Sequence, residues 1–115
     1  MNRMVVLYRP VGPQELALIE ASGWKAFPPR LSTQPFFYPV ANQQYAEEIA
    51  RDWNAKDNGS GFVTRFNVKK EFLAAYPLRK VGTGKHLEYW IPAEQLGMFN
   101  TNIVGAITVV ASFGG

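Results

Sequence analysis

Hydrophobic and polar positions along this chain change rhythm repeatedly, and each change marks an element. Residues 4–9, MVVLYR, form an apolar run that predicts a strand ending at Pro10. The stretch GPQELALIEASG, 12–23, predicts a helix, with Pro13 and Glu15 in its first turn and Gly23 as its C-terminal stop. Three prolines keep FPPRLSTQP irregular. FFYPV, 36–40, is a short aromatic strand, and Pro39 sets it at an edge or a strand end. NQQYAEEIARDWN, 42–54, is the clearest helix. Asn42 is its N-cap, Tyr45, Ile49 and Trp53 recur every four residues beside Ala46 and Ala50, and Glu47, Glu48, Arg51 and Asp52 take the other side.

After the turn-rich loop AKDNGSG, the run FVTRFNV, 62–68, alternates as a strand. Phe62, Thr64, Phe66 and Val68 share one face, and Val63, Arg65 and Asn67 share the other. KKEFLAAYP is a short helix or a turn, LRKVG a further strand, and GTGKH a loop. In the strand 87–91, Leu87, Tyr89 and Ile91 share one face and Glu88 shares the other with Trp90. PAEQLGMFN gives one or two helical turns. GAITVVASF, 105–113, is a final strand, and its β-branched centre predicts a central place in a sheet. Strands and helices mix without a βαβα rhythm, which predicts one α+β domain over 1–115 with a mixed, mostly antiparallel sheet.

Composition narrows the classes. The chain has 115 residues, 47% hydrophobic and 14% aromatic, enough for a packed core. It has no cysteine, so disulfides and thiolate metal sites are excluded. No apolar run is long enough to span a membrane, and the apolar N-terminal run is short for a secretory signal, so a cytoplasmic location is the expectation. The net charge of +3 favours approach of a phosphorylated ligand. It falls short of the dense basic tracts of nucleic-acid binders, even where Lys69–Lys70 and Arg79, Lys80 and Lys85 cluster.

Most familiar chemistries lack their residues. His86 is the single histidine and no carboxylate pair stands at ligand spacing around it, so no metal site is expected. There is no G-x-S-x-G elbow, no P-loop, and no G-x-G-x-x-G after a strand. Arg9 remains, closing the first strand on the face of Val5 and Leu7. It is placed either to hold a phosphate bidentately or to pair with a surface carboxylate. Glu88 also remains. A charge beside Trp90 in mid-strand destabilises unless it is wet, paired across the sheet with Arg65 or Arg79, or used.

In order along the chain, LYRPV, FFYPVANQQYA and LEYWIP resemble the three motifs of the ADP-ribosyltransferase-like superfamily. The chain is also similar to small bacterial proteins labelled as ADP-ribosylation or crystallin type. The resemblance implies a split β-sheet with flanking helices that takes NAD as substrate. In it Glu88 is the catalytic carboxylate, kept ionised by Lys85 or Arg9. Arg9 holds the pyrophosphate, with Arg65 as a spare. Tyr38 and Tyr45 stack on the nicotinamide, although Tyr45 equally suits core packing beside Ile49. His86 contacts the adenosine ribose or simply lies in a loop; the toxin branch has a second acidic residue at that position. The implied activity is transfer of ADP-ribose to an acceptor, a protein among the options, or hydrolysis of NAD. A degenerate module that binds a nucleotide or a protein is the alternative. A third option is an interaction protein that pairs through an exposed apolar patch of the Phe36–Phe37–Tyr38 run and the Trp residues.

Overall fold

The computed structural model describes residues 3–81 and 86–114. In chain order the elements are β1 (Met4–Val11), α1 (Pro13–Ala21), β2 (Phe36–Phe37), α2 (Gln43–Ile49), a π-helix (Ala50–Asn54), α3 (Ala55–Asn58) and β3 (Ser60–Lys69). There follow α4 (Lys70–Leu73), β4 (Leu78–Lys80), β5 (Leu87–Tyr89), β6 (Ile91–Pro92), a 3₁₀ turn (Ala93–Gln95), α5 (Leu96–Thr101) and β7 (Ile103–Gly114). The result is a mixed α+β arrangement in which every strand pair is antiparallel. Among the described residues, no helix is long and apolar enough to cross a membrane.

The main sheet has the order β1-β3-β7, so β3 is its centre and β7 an edge. The β-branched run of the last strand had predicted the reverse. β-branching suits any half-buried pleated surface and does not separate an edge from a centre. What marks β3 as central is burial on both faces, where Val63, Thr64, Phe66 and Val68 are all enclosed while Val109 and Val110 of β7 are exposed.

β1 does not stop at Pro10. It runs on to Val11, with Pro10 opposite Val63 of β3. Tyr8 exchanges both backbone hydrogen bonds with Val40 on the side away from β3, at 2.9 and 2.8 Å. Two residues further on, Pro10 faces that same outer side, so its missing N–H leaves the β3 ladder intact. Val40 is a one-residue strand linking β1 to β5. The neighbouring backbone completes the link, Tyr89 N–H donating to Pro39 O and Ala41 N–H to Leu87 O. The expected strand over 36–40 is thus reduced to Phe36–Phe37, paired with β6, and the single bridge at Val40. Phe37 is 1% exposed, so Phe36–Phe37–Tyr38 is no exposed patch.

The two faces of the main sheet are closed differently. On one, Phe27, Phe37, Phe66 and Phe99 meet in tilted and edge-on contacts with centroids 4.8–6.1 Å apart, ringed by Leu7, Val11, Ile19 and Ile107. On the other, α2 and the π-helix press Ala46 and Ala50 against Val40 and Val63. Asn42 caps α2 as its sequence predicts, its Oδ1 accepting the Tyr45 N–H at 3.1 Å.

The expected stripe Tyr45–Ile49–Trp53 is not the buried one. Ala46 and Ala50 are wholly buried, and Trp53 is 66% exposed. The π-turn puts an extra residue into the helix, so the four-residue phase is lost after Ile49. The small alanines let the helix approach closely. A Cβ added at Gly61 would collide with the Ala50 carbonyl oxygen and lie 2.9 Å from Asn54 Cβ. The helical path then continues through α3, where a loop was expected, and stops at Gly59 (φ 85°).

Candidate functional site

Past the Tyr8–Val40 pair, the outer edge of β1 has no strand partner among the described residues, and a cavity of about 250 Å³ opens there. It is lined by Arg9 and Pro10 of β1, Tyr38 and Val40 of the following segment, Ile49 and Asn54 of the helix, and Glu88 of β5. Arg9, Tyr38 and Glu88 are therefore brought together from three distant stretches of sequence.

Glu88 is 8% exposed. Its Oε2 accepts the Trp90 indole N–H at 2.9 Å, and its Oε1 accepts the Tyr45 hydroxyl at 3.0 Å. Among the described residues no cation forms a salt bridge with it. The expected partners are engaged elsewhere. Arg79 stands opposite Glu88 in the β4–β5 register, but its guanidinium lies over the Trp90 ring, 4.6 Å from the centroid. Arg65 is exposed on β3, apart from the cavity lining, which also removes it as a spare phosphate ligand there. Lys85 lies outside the described residues. Burial, and then the hydrogen bond and negative charge of Glu88, push the Tyr45 phenol up to about 12, so at neutral pH it is a proton-bearing donor.

Arg9 is also 8% exposed, and it has a counter-charge. Its Nε donates to Glu15 Oε2 at 2.7 Å and its Nη2 to Glu15 Oε1 at 3.1 Å, a bidentate pair formed where the chain turns from β1 into α1. The guanidinium stands over Phe37, 4.6 Å from the ring centroid. It does not hold Glu88 ionised by direct pairing, as the resemblance had implied. Nearby, burial and then the repulsion of Arg9 lower the Arg30 pKa from its ordinary value. The Arg30 Nε donates to Phe36 O at 3.0 Å. Arg9 is thus paired with Glu15, while Arg30 forms no salt bridge among the described residues.

The two tyrosines do not form a common stack. Tyr38 lines the cavity and meets Trp90 edge-on, with centroids 5.8 Å apart. Tyr45 sits behind Glu88, its ring stacked on His86 at 4.2 Å and 10°. His86 in turn places Nε2 3.2 Å from Glu48 Oε2 and does not line the cavity.

Three contributors went unread in the sequence. Glu15 has an ordinary explanation in the first turn of a helix, and its i+6 relation to Arg9 appears once the chain reverses at Gly12. The strand alternation did place Trp90 on the side of Glu88, but not its N–H on the carboxylate. Asn54 carried no signal. Its Oδ1 is, among the described residues, the buried side-chain polar atom without a hydrogen-bond partner. No protein-family model, curated protein or solved structure matches this chain.

Proposed function

We propose that this domain is ADP-ribosyltransferase-like: it binds NAD or a related nucleotide at the cavity and cleaves the bond between ribose and nicotinamide, passing ADP-ribose to water or to an acceptor such as a protein side chain. The observation that carries the reading is Glu88, a buried carboxylate on the cavity wall whose hydrogen-bond donors among the described residues, Tyr45 and Trp90, are neutral. When the ribose C1′–nitrogen bond breaks, its electron pair leaves with the ring and C1′ becomes positive. A fixed, un-neutralised carboxylate in a poorly solvated site stabilises that charge. Tyr45 and Trp90 hold its orientation without cancelling its charge. Water or the acceptor then bonds to C1′ and gives up a proton. The Arg9 guanidinium on the cavity lining is the group that meets the pyrophosphate, and its Nη1 has no protein hydrogen bond among the described residues. A cavity of about 250 Å³ suits the ring-and-ribose end, with the rest of the dinucleotide along the open rim.

A second reading, binding without turnover, draws on the Arg9–Glu15 pair, which leaves fewer arginine donors free for phosphate. One experiment separates the two. NAD is incubated with the protein, nicotinamide release is measured, and Tm is read with and without NAD. The catalytic reading expects release that falls about 100- to 1,000-fold in Glu88→Gln, while NAD still raises Tm in both proteins. A Tm rise with no release assigns the binding role. Neither response rejects the nucleotide reading altogether.

A further inference from the structure

Asn54 stands out among the cavity-lining residues because, among the described residues, nothing satisfies its Oδ1. Its Oδ1 is enclosed and has no hydrogen-bond partner. Native proteins rarely leave such an atom unpaired, because its lost hydration is then returned by nothing. Its position is also held. Asn54 is the last residue of the π-helix, and that helix lies so close to β3 that Gly61 admits no side chain beneath it. π-turns of this kind recur at ligand sites. The rest of the lining is Pro10, Tyr38, Val40 and Ile49, which are largely apolar, with the charged Arg9 on β1 and Glu88 on β5. A flat ring fits between apolar walls. An asparagine amide offers one acceptor beside one donor, the complement of a primary carboxamide.

We infer that Asn54 is a specificity residue of this cavity, pairing its side-chain amide with a primary carboxamide carried on an aromatic ring of the ligand. The inference deepens the nucleotide reading and rests on it for the rest of the ligand. It requires that Asn54 turn its enclosed Oδ1 toward the cavity and that the ring carry a donor for it, and so it sets nicotinamide apart from 3-acetylpyridine, the ketone of the same shape and charge that lacks this donor.

The test titrates both ring compounds, NAD, its 3-acetylpyridine analogue and ADP-ribose into wild-type protein and into Asn54→Leu, by calorimetry and thermal shift. Wild type is expected to bind each amide about 10- to 100-fold more tightly than its ketone counterpart. The leucine variant, with its orphan acceptor removed, is expected to keep or raise its Tm without ligand and to bring that ratio close to one. Asn54→Asp keeps an acceptor at the same place and retains the amide preference, which guards against a leucine variant that fails to fold. A wild-type ratio near one, a ratio unchanged in Asn54→Leu, or no binding of any amide overturns the assignment. If ADP-ribose stabilises both proteins while the ratio stays near one, Asn54 is overturned and the nucleotide reading survives. If nicotinamide binds through Asn54 while ADP-ribose has no effect, Asn54 is supported and the nucleotide reading fails.

Discussion

The two faces of the β1–β3–β7 sheet solve the problem of burial in opposite ways. One is filled by four interlocking phenylalanines, the other by two alanines and two valines under a helix. Large rings leave little void and contribute about 1.5–3 kcal/mol each when fully buried. Small side chains let the helix backbone come close but cannot fill the space at its far end, and there the cavity opens beside Asn54. Stability is concentrated on the aromatic face and the candidate chemistry on the alanine face. The charged residues divide similarly: Arg9, whose guanidinium packs on Phe37, has its counter-ion, and Glu88, across the cavity, has none among the described residues.

Four substitutions test this division, taken here from the largest expected effect downwards. Phe99→Ala removes a wholly buried ring and should cost about 3–5 kcal/mol, read as a lower urea midpoint with little change in ligand affinity of the folded protein. A cost below about 1 kcal/mol would mean that the aromatic face does not carry the fold. Glu15→Ala leaves the Arg9 guanidinium buried without its carboxylate and should cost about 3 kcal/mol, at the lower end for broken buried pairs because Glu15 is partly exposed. Gly61→Ala should cost about 1–3 kcal/mol, since its methyl displaces the Ala50 carbonyl. Unlike Phe99→Ala, it should also weaken ligand-induced stabilisation, because Asn54 moves with the π-helix. Equal ligand responses in the two variants would dissolve the contrast between the faces.

Tyr45→Phe is the smallest, about 1 kcal/mol for one hydrogen bond to Glu88. It also carries a pH signature. The fold raises this phenol from 10.0 to about 12, so it favours the protonated form. Its contribution is complete below the unfolded value near 10 and is lost as pH climbs through the folded value near 12. Tyr76 and Tyr89 are raised as well, so the informative quantity is the difference between wild type and Tyr45→Phe. Wild type should lose its advantage over the variant across that window, and a constant gap in Tm through pH 11 would remove Tyr45 from the Glu88 cradle.

Local signals reported local structure well. Pro13, Gly23 and Asn42 marked helix ends because capping depends on a few adjacent residues. The alternation in 62–68 found β3 because period two is a property of a single strand. Which strand lies at the centre depends on partners far away in sequence, and the β-branched run of β7 could not report it. The Tyr45–Ile49–Trp53 stripe misled because it assumed an unbroken α-helix. The π-turn lies where Ala50 and Asn54 pack against Gly61, a contact no helical wheel contains. Arg9, Tyr38 and Glu88 could be named from motif order, whereas the ion pair of Arg9 and the neutral donors on Glu88 depended on Glu15, Tyr45 and Trp90.

Pro10 gives the opening its permanence. Strands separated by a gap usually tend to zip together, rung after rung, from the last bridge outward. Here the next rung would need an amide hydrogen that an imino acid does not possess, and Tyr38 on the opposite bank finds nothing to grasp. The mouth is thus kept apart by an atom left out of the covalent structure, and exchanging this residue for valine would give the molecule the means to sew itself shut.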